Sequence, residues 1–116
     1  MLEDVKAILR ISNSAYDAEI EDLIEAAKMD LKLSGVNVNK TVTETYTPEP
    51  TEENPEPEPV EIQVMDPLIK RAIIVYVKAN FGWNNPDAEK LQQSFRMLET
   101  HLALSQEYAE VTEDAV

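Results

Sequence analysis

Hydrophobic residues recur with helical spacing over the first third of the chain. A short helix is predicted over residues 2–10, because apolar side chains stand at i, i+3 and i+7: Leu2, Val5 and Leu9. A longer amphipathic helix is predicted from about Ala15 to Ser34, and its single apolar stripe is formed by Ile20, Leu23, Ile24, Ala27 and Leu31. Ser12 or Ser14 is expected to cap its start, and Gly35 stands where a glycine commonly ends a helix.

A third helix is predicted from Pro67 to about Gly82. Asp66 and Pro67 form an N-cap followed by proline at the first helical position. The β-branched residues within 73–77 favour a strand instead. Three basic residues favour the helix: Lys70, Arg71 and Lys78. On a helix they lie within one arc of roughly 100°, whereas on a strand they would divide between two faces. The segment is apolar almost all round, so we expect it at the centre of the fold.

A fourth helix is predicted after a turn in which Asn85 is the N-cap and Pro86 takes the first helical position. Its apolar residues alternate at spacings of three and four: Ala88, Leu91, Phe95, Leu98 and Leu102. The helix is expected to reach Tyr108. The polar residues 109–116 are expected to form a tail.

Two short alternating stretches lie between the second and third helices, at residues 41–46 and 60–64, and each predicts a strand. Five of the seven prolines lie between them, in a segment from Thr47 to Glu61 that has no Lys, Arg or Gly. Prolines favour an extended polyproline conformation, and neighbouring glutamates repel one another. We therefore expect residues 41–64, here called the arm, to form a stalk with a stiff acidic tip.

These elements predict a mainly α fold, a small four-helix bundle with a protruding two-stranded hairpin or extended arm between helices 2 and 3. Residues 1–116 are interpreted as one domain. Its parts are a helical body at 1–35 and 66–109, the arm at 41–64 and a polar C-terminal tail at 109–116.

The acidic charge is concentrated in the arm and its flanks. The net charge is −13, and residues 41–69 contribute eight acids and no base. A surface of this kind repels phosphates and anionic lipid, which argues against nucleic-acid or membrane partners. No apolar run approaches the roughly 18 residues that a membrane span needs. We therefore expect either a basic partner or a molecule that must pass this protein without adhering to it.

The sequence offers little catalytic or metal-binding chemistry. There is no cysteine, and His101 is the single histidine, which more often is an ordinary helix residue than a ligand. The arm glutamates lack the glycine and spaced acids of a calcium loop, and two glycines are too few for a phosphate-binding loop. We therefore predict no catalytic residues, no metal and no cofactor, and a protein that is not an enzyme.

Three candidate contact surfaces remain. A stripe on the third helix combines basic and apolar side chains and is interpreted either as a subunit contact or as core with extended lysines: Arg71, Ile74, Lys78 and Phe81. The arm is expected to contact a neighbouring subunit or a different protein through Tyr46, Glu49, Glu52, Glu53, Glu56, Glu58 and Ile62. The third surface lies at the end of the fourth helix, where Leu102, Leu104 and Tyr108 are interpreted either as a contact or as simple core packing, and Val111 follows them as a further candidate contact.

The order of several segments resembles the head–tail connector, or adaptor, proteins of tailed phages. The resemblance lies in "MLEDVKAILRI", "DAEIEDLIEAAK", "DPLIKRAIIVYVKANFGWNNPDAEKLQQSF" and "LALSQEY". It implies a non-enzymatic helical protein that forms a ring, typically a dodecamer, beneath the portal protein in the virion neck. It implies that the ring extends the DNA channel without binding DNA specifically and docks the stopper or tail-completion protein. It also implies synthesis in the bacterial host cytoplasm, and the portal would be met by the segment from Leu104.

Two other interpretations stay open at this stage. An acidic protein can mimic nucleic acid and occupy the groove of a DNA-binding partner, and the charge of residues 41–69 motivates this hypothesis. The chain could also be a plain helical module whose acidic linker is disordered. Virion content separates the first from a connector, and limited proteolysis between Thr47 and Pro59 separates the second.

Overall fold

The computed structural model describes residues 1–82, 85–105 and 107–108. It contains four helices and one antiparallel pair of strands, in the order α1 (Leu2–Leu9), α2 (Asp17–Leu33), β1 (Thr41–Tyr46), β2 (Val60–Met65), α3 (Pro67–Asn80) and α4 (Ala88–Leu104). The predicted mainly helical fold, with a hairpin between the second and third helices, is confirmed. The finer arrangement as a four-helix bundle stays a prediction.

Helix α3 is the central element, as its apolar composition predicts. It packs against α1, α2 and α4, and it buries Ile69, Ala72, Ile73, Val75, Val77 and Ala79. The core continues into α2 through the predicted stripe, of which only Leu23 is half-buried rather than buried. Phe95 and Leu102 of α4 and Val5 of α1 complete it. Burial of these side chains against three neighbouring helices overrides the strand preference of the β-branched residues of α3.

The two ends of α2 differ in how well the sequence predicts them. The expected serine cap is wrong, because Tyr16 is the N-cap residue and makes no side-chain capping bond. The predicted end is confirmed: Gly35 adopts a φ of 92°, a left-handed conformation that glycine takes without strain. The amide of Val36 donates to the carbonyl of Leu31 at 3.0 Å, and buried Val36 closes the turn against the core.

Helix α4 is shorter than predicted at both ends. It begins at Ala88 after Asp87, so the prediction of Asn85 as N-cap is wrong. Asn85 instead closes the preceding turn: its Oδ1 accepts from the amide of Asp87 at 3.1 Å, and its Nδ2 donates to the carbonyl of Lys78 at 2.6 Å. The helix ends at Leu104 because Ser105 is extended, so the predicted continuation to Tyr108 is also wrong.

A buried ion pair joins α1 to the start of α2. The Nζ of Lys6 lies 2.8 Å from an Oδ1 of Asp17, and Lys6 is almost fully buried. Helix α1 ends at Leu9, and its C-cap residue Arg10 adopts the left-handed conformation at a φ of 60° although it is not glycine. A second ion pair, between Lys70 and Asp4 at 3.2 Å, holds α1 against the start of α3.

The hairpin extends away from the helices. Its register pairs Thr41 with Met65 and Tyr46 with Val60. The radius of gyration is 17.4 Å, against about 13 Å for a compact chain of similar length. A hairpin that extends from the helices raises the radius of gyration above that of a compact chain.

Candidate assembly interface

The two faces of the hairpin have opposite chemistry. Side chains alternate across a strand, so the register collects all the apolar ones except Met65 on a single face that also contains Glu44: Val42, Tyr46, Val60, Ile62 and Val64. Near the tip this apolar face is open, since Tyr46, Val60 and Ile62 are 49%, 38% and 39% exposed. A two-stranded hairpin is at best marginally stable alone in water, so such a face is typical of a contact surface.

The opposite face is polar and internally bonded. Gln63 lies across from two threonines of β1: its Oε1 accepts from the hydroxyl of Thr41 at 3.0 Å, and its Nε2 donates to the hydroxyl of Thr43 at 2.6 Å. Thr45 and Glu61 continue this face toward the tip. A slip of the register by one residue would turn each polar side chain of a strand to the apolar face. The bonds of Gln63 to the two threonines therefore stabilise the observed register.

The tip of the arm closes in a defined turn. Thr51 and Asn54 exchange backbone hydrogen bonds of 3.0 and 3.2 Å around Glu52 and Glu53, and the hydroxyl of Thr51 also accepts from the amide of Asn54. Between this turn and the strands the ladder is interrupted. The physical reason is that proline has no amide hydrogen to donate, and five prolines lie there: Pro48, Pro50, Pro55, Pro57 and Pro59.

The acidic arm residues predicted as contacts are all exposed. They lie on either side of the turn and within it: Glu49, Glu52, Glu53, Glu56 and Glu58. No lysine or arginine lies among them. The tip is therefore a strongly negative, extended surface with apolar side chains beneath it.

The root of the arm is fixed by Asp66, which lies between β2 and α3. Its Oδ1 accepts from the amides of Leu68 and Ile69 at 2.9 and 3.4 Å, which confirms the predicted N-cap. Its Oδ2 accepts from the hydroxyl of Tyr108 at 3.2 Å, and its own amide donates to the carbonyl of Lys40. One residue thus connects the arm, through its amide, with α3 and the segment after α4, through its carboxylate.

Tyr108 completes this root. Its carbonyl accepts from the amide of Asn37 at 2.7 Å, and the ammonium of Lys40 lies 5.2 Å from its ring centre. Burial raises the pKa of Tyr108 above its ordinary value of 10.0, and the nearby charge of Asp66 adds to the rise. Tyr108 therefore stays protonated and able to donate to Asp66 through the physiological pH range.

The predicted stripe on α3 divides between surface and core. Arg71 is exposed, whereas Ile74, Lys78 and Phe81 are half-buried. Ile74 packs against the core, and Phe81 contacts Tyr16 edge to face with ring centres 5.6 Å apart. The stripe is therefore a partly covered surface, and its C-terminal half is where basic and apolar groups meet.

A groove lies at the C-terminal end of α3, and we call it the end groove. It is lined by Leu9, Lys78, Phe81, Lys90, Leu91 and Ser94 together with Asn85 and Asp87. A second concavity shares Leu9 and Phe81 and continues past Ile11 and Tyr16 to Glu19. Among the described residues, neither Lys78 nor Lys90 has a carboxylate partner within ion-pair distance.

The residues predicted for the third surface have different environments. Leu104 is 80% exposed at the last position of α4. Tyr108 is half-buried at the arm root. Val111 lies outside the described residues.

A pair of carboxyl groups meets between α2 and α4. Asp30 and Glu99 line one cavity with Arg96. Burial raises the pKa of Glu99 from an ordinary 4.5 to about 7, and a hydrogen bond and charge from Asp30 add to the rise, while Ser34 and Arg96 oppose it. The Oε2 of Glu99 is buried without a hydrogen-bond partner, and such an environment disfavours the charged carboxylate.

The described residues include no group of three or more His, Cys, Asp or Glu placed to hold a metal ion. His101 is exposed on α4. In the same part of the chain, no helix is long and apolar enough to cross a membrane.

Several of these residues were missed by sequence reasoning. The end groove uses Leu9, Lys90 and Leu91, which come from α1 and α4. The contact of Tyr108 with Asp66 spans 42 positions of the chain. No local pattern marks such partners, although the apolar stripe of α4 already pointed to Leu91.

The fold and these surfaces together define a mainly helical protein whose distinctive feature is a projecting, chemically two-faced arm. The model of the phage connector protein family matches residues 1–109, which include the whole helical body and the arm. The chain therefore belongs to the phage connector protein family, as the resemblance of its segments predicted. No curated protein and no solved structure matches it.

Proposed function

We propose that this protein is a head–tail connector, or adaptor, of a tailed phage, and that it has no enzymatic activity. It forms a ring beneath the portal protein in the virion neck, extends the DNA channel and docks the stopper or tail-completion protein. The family match over residues 1–109 carries the proposal. The whole chain acts as a single connector domain that is made in the host cytoplasm and joins the virion on assembly.

The arm supports an assembly role. Near the tip, Tyr46, Val60 and Ile62 of its apolar face are open to solvent, so a second molecule is needed to remove this surface from water. Ring closure requires two different complementary patches on every subunit. The arm supplies one such patch, and the basic and apolar groups near Lys78 and Phe81 supply the other.

The charge supports a passive DNA channel. A net charge of −13 offers passing phosphates few cations, so DNA can slide without adhering. The ring is typically a dodecamer in this class, and we propose the same here.

We assign the contacts as follows. The subunit contact uses Arg71, Ile74, Lys78 and Phe81. The arm residues Tyr46 and Ile62, with the five tip glutamates, meet a neighbour or the stopper. The portal contact is made by Leu104 and the segment that follows it, including Tyr108 and Val111.

Charge reversal tests the subunit contact. Changing both Arg71 and Lys78 to Glu is expected to block ring formation on the portal while the helix content, measured by circular dichroism, stays unchanged. The reason is that like charges would then face each other across the contact. Unchanged assembly would exclude this interface, and a loss of helix content would show that the stripe acts as core.

The function itself is tested by a phage that carries a stop codon early in this gene. A connector predicts DNA-containing heads and free tails that do not join, and their joining is restored when the protein is supplied from a plasmid. Electron micrographs of the lysate give the readout. Normal tailed particles without the protein would contradict the proposal and favour the nucleic-acid mimic, whose acidic surface would act on a host or phage DNA-binding protein.

A further inference from the structure

The end groove and the arm have complementary chemistry. The arm has an open apolar face and an acidic tip, and residues 41–69 contain no base. The end groove has an apolar floor of Leu9, Phe81 and Leu91, and the cations Lys78 and Lys90 outnumber Asp87. An apolar strip bordered by negative charge therefore matches an apolar groove bordered by positive charge.

The arm of the same chain is badly placed to fill this groove. The arm joins the body at Asp66, the N-cap of α3, whereas Phe81 follows the C-terminal end of that helix. Helix α3 has 14 residues, so the two sites are separated by its length of about 21 Å. Neither strand of the arm is among the elements that pack closely against α3, so the arm does not run back along this helix toward Phe81.

A donor site and an acceptor site at opposite ends of one helix suit a head-to-tail contact between copies. Such a contact is heterologous, and it closes into a ring when the rotation between copies divides a full turn. The interrupted ladder of the arm also suits insertion, because proline-rich segments stay extended and lose little conformational entropy on binding.

We propose that the arm of each copy lies in the end groove of the neighbouring copy, with Tyr46 and Ile62 against the apolar floor and the tip glutamates near Lys78 and Lys90. This inference rests on the ring proposed above and identifies which two surfaces form it. It adds Leu9, Lys90 and Leu91 to the subunit contact. The partner is a second copy of this chain rather than the stopper.

Disulfide cross-linking tests the pairing directly, since the chain contains no cysteine. In a variant with both Ile62→Cys and Ser94→Cys, oxidation of portal-bound rings or purified particles is expected to give a ladder of covalent oligomers. The matched control is Thr43→Cys with Ser94→Cys, which moves the thiol to the polar face of the hairpin. This variant is expected to form no disulfide between subunits.

The outcomes separate this inference from the proposed function. A ladder supports the pairing. Particles that contain the protein but show only an intrachain disulfide, no cross-link, or a cross-link to another virion protein would overturn it and leave the connector proposal standing. Absence of even the unmodified protein from particles would instead contradict the connector proposal.

A charge variant gives a second readout. Lys78→Glu with Lys90→Glu is expected to weaken association between copies by about tenfold or more, because exposed ion pairs are lost and repulsion replaces them. Lys28→Glu with Lys32→Glu makes the same charge change on α2 and is expected to leave association within about twofold. Equal effects of the two variants would show that net charge, rather than the end groove, governs assembly.

Discussion

Replacing Asp66 with alanine tests whether one carboxylate joins the start of α3 to the segment after α4. Asp66 is 3% exposed and accepts from two amides at the start of α3 and from the hydroxyl of Tyr108. Loss of the cap costs about 1 kcal/mol. Loss of the Tyr108 bond, which is long at 3.2 Å and only part-buried, adds about 1 kcal/mol. The expected loss of stability is therefore about 2 kcal/mol.

The assay is urea unfolding of the purified protein, followed by far-ultraviolet circular dichroism. Tyr108→Phe removes only the second bond and is expected to cost about 1 kcal/mol. The double variant is expected to lose little more than Asp66→Ala alone, because both changes break the same Tyr108–Asp66 bond. Asp66→Asn is the matched control, since its amide oxygen still caps α3, and its effect is expected to lie between those of wild type and alanine.

Two results would refute this reasoning. One is an Asp66→Ala variant whose stability lies within about 0.5 kcal/mol of wild type, which is the range of ordinary surface substitutions. The other is strict additivity in the double variant, since independent sites add and contacting sites do not.

Three further predictions concern the helical body, and each is measured by urea unfolding. The pKa of Glu99 is raised from 4.5 to about 7 in the folded state. Between pH 4.5 and pH 7, the folded chain therefore keeps a proton that the unfolded chain has lost. The free energy of unfolding is therefore expected to fall by about 1 kcal/mol as pH rises from 4.5 to 7, after allowance for solvent screening. Glu99→Gln should remove most of this fall. If the variant and the wild type have the same pH profile, a shared proton between Glu99 and Asp30 is excluded. Asp17→Ala leaves the buried ammonium of Lys6 unpaired and is expected to cost about 2 kcal/mol, more than Lys6→Met, which removes the charge itself; the reverse order would contradict the buried pair. Arg10→Gly is expected to raise stability by about 0.5 kcal/mol, because glycine adopts the left-handed conformation without strain; a loss would show that the arginine side chain contributes more than its strain costs.

Local signals predicted the elements with strong local causes. Asp66 followed by Pro67 fixed the start of α3, and Gly35 fixed the end of α2, because cap geometry depends on neighbouring residues. The strands followed from alternation. The central position of α3 followed from an apolar surface that only burial on several sides can satisfy.

Local signals failed where other groups satisfied the backbone. Tyr16 precedes α2 without a side-chain cap, although two serines stand just before it. The side chain of Asn85 bonds to the amide of Asp87 and to the carbonyl of Lys78 instead of capping α4. Helix α4 ends at Leu104, and beyond it Tyr108 bonds to Asp66, which lies 42 positions away. Such choices depend on contacts distant in sequence, which periodicity does not contain.

The candidate surfaces show the same division. The arm and its acids were predictable, because proline and glutamate fix an extended, charged segment by themselves. The end groove was not, because Leu9, Phe81 and Leu91 meet only after three helices pack. A residue such as Lys78 is basic in the sequence, but its apolar surroundings appear only in the folded chain.

The central claim is that this protein is a stoichiometric part of the virion neck. The most direct test is quantitative mass spectrometry of purified phage particles, with the portal protein as internal standard. Our account predicts that the chain is present in an amount equal to the portal protein. Its absence from particles, together with abundance in the infected cell, would contradict the account.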